Sequence, residues 1–337
     1  MAIVINGSGT VTGLAVGGLP DGTVDAGTLA TDAVTAAKIA TNSVDSAELV
    51  DGAVDDSHMA SIKGRRNILI NGDFSVSQRG DYTSATTATH LQYYLDRFYI
   101  AKSGVTGTIQ DTGFAAKLVV TSGGTGTLRL VQPIEDMAWL SGKTVTLSCQ
   151  MKSNDANSRL GIYADAWQST TAAHTGGGAW ETLSMTLTLP SGITTELSAH
   201  FGIDGASSAN VSISSGAYCE VKDLQLEVGS TATDFEHRSY GEELALCQRY
   251  CYKTFGNSDG SYGNKSGTST IFSFNSTGTF PTTMRATPTT SVTGGTVEGG
   301  SNFSVWTNTL GYITRMSSSS SGVYRAFEQV ITYDAEL

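Results

Sequence analysis

Residues 182–189 read TLSMTLTL, so apolar side chains alternate with hydroxyl or other small polar side chains along this segment. Strict alternation is typical of a β-strand with one buried face and one face in water. Similar or wholly apolar segments, separated by clusters of Gly, Ser, Asn and Thr, predict nine strands: 98–101, 116–120, 127–131, 144–151, 159–164, 182–189, 196–203, 210–213 and 217–228. Strands with regular turn signals predict a β-sandwich of the jelly-roll kind over residues 65–232.

The composition supports a mainly β chain. Only 15% of the 337 residues are charged, 39 are Gly and five are Pro. A coiled coil needs many charged residues and leucines, and a disordered tail needs charge or proline, so both classes are excluded. Four cysteines are too few for a disulfide scaffold in a chain of this length. We expect them to be free thiols that bind no metal: Cys149, Cys219, Cys247 and Cys251.

The chain has 20 basic and 31 acidic residues, a formal net charge of −11. Nucleic-acid binding needs clustered Lys and Arg, so we expect no nucleic-acid partner. No stretch approaches the roughly 18 apolar residues of a membrane span, so we expect no membrane insertion. The first residues, MAIVIN, lack the basic and long apolar segments of a secretion signal, which predicts synthesis in the cytoplasm.

Residues 22–61 form four repeats of ten residues: GTVDAGTLAT, DAVTAAKIAT, NSVDSAELVD and GAVDDSHMAS. The third position is always Val and the eighth is always Leu, Ile or Met, so apolar residues recur every five residues. That period fits neither a continuous helix nor a strand, and one copy cannot bury two side chains alone. The pattern predicts a shaft over residues 22–64 that is built with other copies of the chain. The alternative is a disordered acidic linker, which would not need so strict a register.

Residues 32–54 resemble the decapeptide repeats in tail fibres of tailed bacteriophages, and residues 7–24, GSGTVTGLAVGGLPDGTV, resemble the start of such fibres. The resemblance implies a homotrimer located in the tail of the virion. It also implies that residues 1–21 form a leader that attaches to a phage tail or baseplate protein.

Two further motifs bracket the predicted sandwich. NILINGDFSVSQRG (67–80) with YYLDRFYI (93–100), and CEVKDLQLEVGSTATDFEHRSYGEEL (219–244), resemble the ends of carbohydrate-binding-module-like jelly-rolls in phage fibres and glycan-degrading enzymes. The resemblance implies that a structural calcium often lies near Asn71, Gly72, Asp73 and Glu227. The alternative, which we favour, is a turn at Asn71–Gly72 with Asp73 as a cap and no metal.

Residues 233–253 are expected to form a helical connector. SYGEELALCQRYCYKTF (239–255) has helical spacing, with Glu242 and Glu243 in the first turn, where they favour the helix dipole. Its E-L-x-x-C-Q-R-Y pattern resembles phage-fibre sequences that join the jelly-roll to a distal domain. Cys247 and Cys251 are expected four residues apart on this helix, in packing contacts.

Residues 254–337 are expected to form a small β-rich distal tip domain. Between Ser261 and Ser321, 27 of 61 residues are Ser or Thr. The predicted strands are 270–274, 289–293, 303–307, 310–316 and 323–333. A hydroxyl-rich surface with a few aromatic rings is typical of adaptable binding surfaces. The candidate ligand-binding residues are Tyr262, Trp306, Tyr312 and Tyr324 in this domain and Trp167 in the sandwich, with core packing as the alternative for each.

Catalytic motifs are scarce. The sequence has no HExxH or P-loop motif and no CxxC pair, and its five His residues are scattered. We therefore expect no enzyme activity and no cofactor. The predicted function is a structural tail fibre, or adhesin, that recognises host surface polysaccharide during adsorption. The alternative is a fibre-borne polysaccharide-cleaving depolymerase, because the fold and not the sequence sets the separation of two catalytic carboxylates.

Overall fold

The computed structural model describes residues 4–5, 11–12, 35, 39, 66–80, 82–165, 167–169, 173–204, 211–254, 272–294, 296–298, 302–318, 325–327 and 330–336. The chain divides into two compact units, Met1–Ala60 and Ser61–Leu337. In the first unit, strands β1 (Val4–Ile5) and β2 (Val11–Thr12) pair antiparallel. The decapeptide repeats lie outside the described residues, apart from Thr35 and Ile39.

The second unit begins with a β-sandwich. Its strands are β3 Thr86–Thr87, β4 Tyr93–Leu95, β5 Phe98–Ser103, β6 Thr106–Asp111, β7 Ala116–Ser122, β8 Gly124–Thr125, β9 Thr127–Pro133, β10 Thr144–Ser153, β11 Ser158–Ala164, β12 Trp167–Ser169, β13 Trp180–Thr188, β14 Leu197–Asp204, β15 Ser212–Ile213 and β16 Tyr218–Val228. Sheet 1 has the strand order β13-β10-β16-β7-β6-β3, and sheet 2 has the order β12-β11-β14-β9-β5-β4. The chain passes repeatedly between the two sheets, as in a jelly-roll.

The apolar positions of the alternating strands face each other between the sheets. In β13, Leu183 and Met185 are buried while Thr182 and Ser184 are exposed. Each fully buried side chain of this size contributes roughly 2 kcal/mol by leaving water. All nine predicted strand segments contain a strand, and the mainly β prediction with a sandwich is confirmed. The sequence missed five strands: β3, β4, β6, β8 and β12.

The two bracketing motifs meet in the folded chain. Asn71 adopts a left-handed conformation (φ 60°), and its backbone carbonyl accepts a hydrogen bond from Phe74 N at 3.1 Å. The backbone N–H of Asn71 donates to Glu243 Oε1 at 2.5 Å. Arg238 pairs with Glu243 at 3.2 Å and donates to the Leu69 carbonyl at 2.9 Å. The end of the second motif (219–244) therefore contacts the turn at Asn71 in the first motif (67–80).

Helix α1 spans Tyr240–Gln248, and it is the one α-helix among the described residues. Ser239 caps its N-terminus in a reciprocal capping box with Glu242. The short helix is confirmed, but its predicted extent is wrong at Cys251. The helix ends at Gln248, and Cys251 begins strand β17 (Cys251–Lys253), because its backbone pairs with the last strand of the chain.

The C-terminal domain consists of small antiparallel sheets. Its strands after β17 are β18 Phe272–Thr279, β19 Thr289–Thr293, β20 Thr296–Glu298, β21 Asn302–Thr307, β22 Gly311–Ser318, β23 Arg325–Phe327 and β24 Val330–Asp334. The sheet orders are β17-β24-β19, β18-β22-β21 and β20-β23. The single strand predicted over 323–333 is wrong, because β23 and β24 pair with different partners in different sheets.

Buried ion pairs join this domain to the sandwich. Arg79 pairs with Asp334 at 2.8 Å and with Glu336 at 3.1 Å, and Arg97 pairs with Glu336. The guanidinium of Arg97 also lies 3.5 Å from the ring centre of Tyr250. The last described residues therefore fix the C-terminal domain on the sandwich.

Candidate functional site

The structure brings two of the predicted site residues into one cleft. Trp306 is the next-to-last residue of β21 and Tyr312 is the second residue of β22, and both line a cavity of about 340 Å³, which we name the tip cleft. The other lining residues are Thr277, Gly278, Thr279, Thr307, Asn308, Leu310, Gly311 and Ile313. Tyr262 and Tyr324 lie outside the described residues, as does the side chain of Trp167, whose backbone belongs to β12.

A tight hairpin positions the tip cleft. Strands β21 and β22 pair so that Trp306 lies opposite Ile313 and Thr307 opposite Tyr312. The side-chain oxygen of Asn308 accepts hydrogen bonds from Leu310 N at 2.8 Å and Gly311 N at 2.9 Å. This Asx-type turn holds Trp306 at the end of its strand with 49% of its surface exposed.

Tyr312 forms the floor of the tip cleft. Its ring stacks on Tyr333 with centroids 4.8 Å apart, and its centroid lies 5.6 Å from that of Phe280. The ring also covers Gly278, where an added Cβ would lie 2.3 Å from it. Tyr312 is thus held by packing, whereas Trp306 is half exposed, with the guanidinium of Arg315 5.8 Å from its ring centre. An exposed indole next to hydroxyl and amide groups has the chemistry that a sugar ring requires.

A second cleft lies at one end of sheet 2. This sandwich cleft has a volume of about 490 Å³ and is lined by Leu91, Tyr93, Tyr99, Pro133, Ile134, Met137, Thr195, Glu196, Leu197 and Ser198. Tyr93 and Tyr99 are cross-strand partners whose rings meet edge to face at 5.4 Å. Burial raises the pKa of Tyr99, so its hydroxyl stays protonated at neutral pH and can donate a hydrogen bond.

The sandwich cleft continues into a buried polar cluster on the outer face of sheet 2. The Tyr163 ring stacks on His200 at 3.9 Å, and Arg129 pairs with Asp204 at 2.9 Å. His200 Nε2 lies 2.8 Å from the Ser198 hydroxyl. Burial, and then the nearby charge of Arg129, hold the pKa of His200 well below its usual value. His200 is therefore neutral at physiological pH and serves hydrogen bonding.

Asp165 fixes the loop that carries Glu196 into the sandwich cleft. Its carboxylate accepts hydrogen bonds from the backbone of Thr194, Thr195 and Glu196 at 2.8–3.1 Å and from the Thr195 hydroxyl at 2.6 Å. These bonds, the Thr195 hydroxyl first, lower the pKa of Asp165 below its usual range. The loop is thus tied down by a carboxylate that stays ionised at any physiological pH.

Sequence reasoning missed the sandwich cleft. Two of its lining residues, Tyr93 and Tyr99, are cross-strand partners, and the same row continues beyond the cleft through Val131, His200 and Gly161. Only the sheet register brings these residues together. The one signal in the sequence is the group of tyrosines in YYLDRFYI (93–100). Tyr93 and Tyr99 lie on neighbouring strands and share a face once β4 and β5 pair.

The residues that resembled calcium ligands do not fit a calcium ion. Asn71 Oδ1 accepts from Val76 N at 3.0 Å, and Asp73 Oδ1 caps Ser75 N at 3.1 Å. Both carboxylate oxygens of Glu227 accept hydrogen bonds from Thr233. The oxygens are used within the protein, as the turn-and-cap alternative predicts. Within the described ranges, no three His, Cys, Asp or Glu residues cluster as a metal site would require, and no helix could span a membrane.

Comparison with solved structures finds carbohydrate-binding modules. A CBM29-2 mutant complexed with mannohexaose is 14% identical, with 46% of this chain and 99% of that chain covered and a TM-score of 0.31. The CBM22-2 xylan-binding domain from Paenibacillus barcinonensis Xyn10C is 11% identical, with coverages of 43% and 99% and a TM-score of 0.30. TmCBM61 in complex with beta-1,4-galactotriose is 11% identical, with coverages of 49% and 100% and a TM-score of 0.28. No protein-family model and no curated protein matches the chain.

Proposed function

We propose that this chain is a trimeric tail fibre of a tailed bacteriophage that binds host surface polysaccharide without cleaving it. The N-terminal leader attaches to a tail or baseplate protein, the repeats form the shaft, and the sandwich and C-terminal domain meet the cell. The resemblance of residues 7–24 and 32–54 to phage fibres supports the viral part of this proposal.

The tip cleft carries the glycan part of the proposal. Trp306 offers a half-exposed indole on which a pyranose ring can stack, and Thr307 and Asn308 offer hydrogen-bond partners beside it. Such stacking contributes about 1 kcal/mol, by analogy with aromatic pairs. A single cleft that makes a few contacts of this size would bind with a dissociation constant of ~1 mM, which corresponds to a binding free energy of about −4 kcal/mol. Three clefts on one fibre would raise the avidity by about 10²–10⁴ on a dense receptor.

The sandwich cleft is a second candidate for the same class of ligand. It combines two tyrosine rings with the carboxylate of Glu196 and the hydroxyl of Thr195 along a cavity of about 490 Å³. This volume lies within the roughly 300–1,000 Å³ range of small-ligand sites. Trp306 favours the tip cleft, because its ring is more exposed than the half-buried Tyr93 and Tyr99.

The lining of the clefts supports binding over cleavage. Glycoside hydrolysis uses two carboxyl groups about 5–10 Å apart. Among the described residues that line the clefts, the tip cleft has no carboxylate and the sandwich cleft has Glu196. Residues 256–260, GNSDG, fit the G-x-S-x-G form of many hydrolases and lie outside the described residues.

The release of products separates binding from cleavage. The whole chain is incubated with a panel of bacterial surface polysaccharides, and reducing ends and released acyl groups are followed over hours. We expect retention of at least one polysaccharide with no release above a buffer control. Sustained release that is lost in a Ser258→Ala or Glu196→Gln variant would instead establish the depolymerase alternative.

The repeats, together with their resemblance to phage fibres, support the proposed trimer. Ile39, at an apolar position of the repeat, is 44% exposed in the single chain, so its burial requires another copy. Light scattering of the intact chain should give three times the monomer mass. Replacing Val34, Ile39, Val44 and Leu49 by Ser should weaken the trimer and leave the sandwich folded. A monomer mass for the unaltered chain contradicts the shaft.

A further inference from the structure

Trp180 lies on the outer face of sheet 1, away from both clefts. Trp180 begins β13, and 40% of its surface is exposed. The reason is the alternation of β13, which points Leu183 and Met185 into the core and places Trp180 and Thr182 on the other face. The indole is therefore available to a ligand.

Two lysines place their ammonium groups over this indole ring. Lys152 is the cross-strand partner of Trp180, and its ammonium lies 6.0 Å from the ring centre. Lys222, on the next strand, places its ammonium 5.0 Å from the same ring. No carboxylate among the described residues lies within ion-pair distance of either ammonium. The neighbouring acid, Glu220, accepts a hydrogen bond from the Thr112 hydroxyl at 2.9 Å.

Near the Trp180 ring two lysines stand beside one acid, Glu220, which is the cross-strand partner of Lys152. The chain has a net charge of −11, so unspecific attraction of anions is not expected. Two ammonium groups without carboxylate partners nevertheless converge on one exposed ring. Next to them, Gln150 donates to the Thr182 hydroxyl at 2.7 Å, and both groups lie on the same outward face. The face thus offers a stacking surface, two positive charges and polar groups.

We propose that the Trp180 face binds a carboxylate-bearing saccharide, such as a uronic acid unit of an acidic polysaccharide. The sugar ring stacks on the indole, and the carboxylate lies between Lys152 and Lys222. Thr182 and Gln150 accept or donate hydrogen bonds to the sugar hydroxyls. This site is separate from the two clefts and does not depend on the function proposed for them.

Trp139 provides a matched control within the same chain. It is 41% exposed, similar to Trp180, but a single ammonium, that of Lys143, lies near its ring, at 5.3 Å. A general preference of acidic sugars for any Lys–Trp pair would therefore depend on Trp139 and Lys143 as well. Binding at a specific site would depend on Trp180, Lys152 and Lys222 alone.

The test uses two ligands that differ only in charge. Calorimetry at low salt compares a galacturonic acid hexasaccharide with its fully methyl-esterified form, on the whole chain. We expect the acid form to bind at least tenfold more tightly. Lys152→Gln with Lys222→Gln should remove that preference, Trp180→Ala should remove binding, and Lys143→Gln should change neither. Unchanged melting temperatures establish that the variants are folded.

Several results would overturn the proposal. Equal affinity for the acid and the ester would show that the lysines only cover the ring. The proposal is also wrong if the acid form does not bind at millimolar concentration, or if the preference for the acid form survives the double lysine substitution. Variants in the tip cleft, such as Trp306→Ala, should leave this binding intact, so that failure here and failure of the proposed function are distinguishable.

Discussion

The rings of Tyr312 and Tyr333 stack at 4.8 Å with their planes 30° apart, which ties the floor of the tip cleft to strand β24. Tyr333 is fully buried, and β24 pairs with β17 and β19. The cleft is therefore anchored to the sheet that includes the residues next to the helix. Removal of residues 254–337 would leave Cys251–Lys253 without its partner strand. Point substitutions are therefore the better way to test which of the two clefts binds a ligand.

The two aromatic residues of the tip cleft should differ in their effect on stability. Tyr312→Ala empties the space over Gly278 and removes the contact with Tyr333, so we expect the free energy of unfolding to fall by about 2–4 kcal/mol. Trp306→Ala removes a half-exposed ring and should cost less than about 1 kcal/mol. Urea unfolding of both variants measures the difference. Equal losses of stability would contradict the assignment of Tyr312 to the floor of the cleft and of Trp306 to its binding surface.

The ion pairs between the domains should differ according to their burial. Glu336→Ala leaves Arg97 buried without this carboxylate, which should cost about 3–5 kcal/mol. The control is Glu135→Gln, which removes the charge that pairs with Arg249, where both residues are about a third exposed, while its amide oxygen can still accept the hydrogen bond from the Tyr250 hydroxyl; it should cost about 1 kcal/mol or less. Thermal unfolding measures both variants. If the Glu135 variant lost as much stability as the Glu336 variant, the assignment of the buried ion pairs as the stronger link between the domains would be wrong.

Asp96 should make the fold more stable at mildly acidic pH. Burial raises its pKa to about 6 from 3.8, against the hydrogen bonds that Gln78 donates to it. The folded chain then binds the proton more tightly than the unfolded chain, so the Asp96 contribution to the free energy of unfolding increases as pH falls from about 7 to about 4. A shift of this size corresponds to roughly 3 kcal/mol.

An Asp96→Asn variant isolates this contribution. The amide can still accept a hydrogen bond from Gln78 N, and rotation of the Gln78 amide lets the second bond reverse. Urea unfolding at pH 7.5 and pH 4.5 should show a smaller gain on acidification for the variant than for the original chain. The same pH dependence in both proteins would show that Asp96 titrates normally.

All four thiols should resist alkylation in the folded chain. Cys149, Cys219, Cys247 and Cys251 are free and buried, and burial raises the pKa of Cys219 and of Cys251 to about 12. The thiolate is the reactive form, so iodoacetamide at pH 8 should label none of them until denaturant is added. Mass spectrometry after alkylation without reductant should then find four labels. A disulfide-linked peptide, or rapid labelling of the folded chain, would be the opposite result.

Local pattern predicted the sandwich well, because alternation is a property of one strand. Residues 182–189 and 144–151 show their apolar and polar faces in the sequence itself, and they pair in sheet 1. Strands such as Thr106–Asp111, TGTIQD, have a small apolar content, so their pairing and not their composition places them. Pairing also explains why Cys251 lies in a strand and not in the predicted helix, because its backbone pairs with that of Asp334.

The candidate site was predictable only in part. Trp306 and Tyr312 are close in sequence, so one hairpin brings both to the tip cleft. The sandwich cleft brings together Tyr99, Pro133 and Ser198, which are far apart in the chain, and Ser198 and Pro133 are cross-strand partners. The buried partners of Tyr312, which are Tyr333 and Phe280, follow from the packing of separate sheets. Neither the lining of the sandwich cleft nor the partners of Tyr312 can be read from a local sequence pattern.

The central claim is that the tip cleft recognises a host surface glycan through Trp306. The most direct measurement is binding of the whole chain to an array of bacterial surface polysaccharides, compared with Trp306→Ala and with two controls, Trp139→Ala and Tyr99→Ala. We predict that the original chain binds at least one polysaccharide and that Trp306→Ala weakens this binding about fivefold or more, as the loss of ~1 kcal/mol requires. Both controls should bind as the original chain does. Undiminished binding by Trp306→Ala, together with loss in Tyr99→Ala, would move recognition to the sandwich cleft, and binding to no polysaccharide would contradict the account.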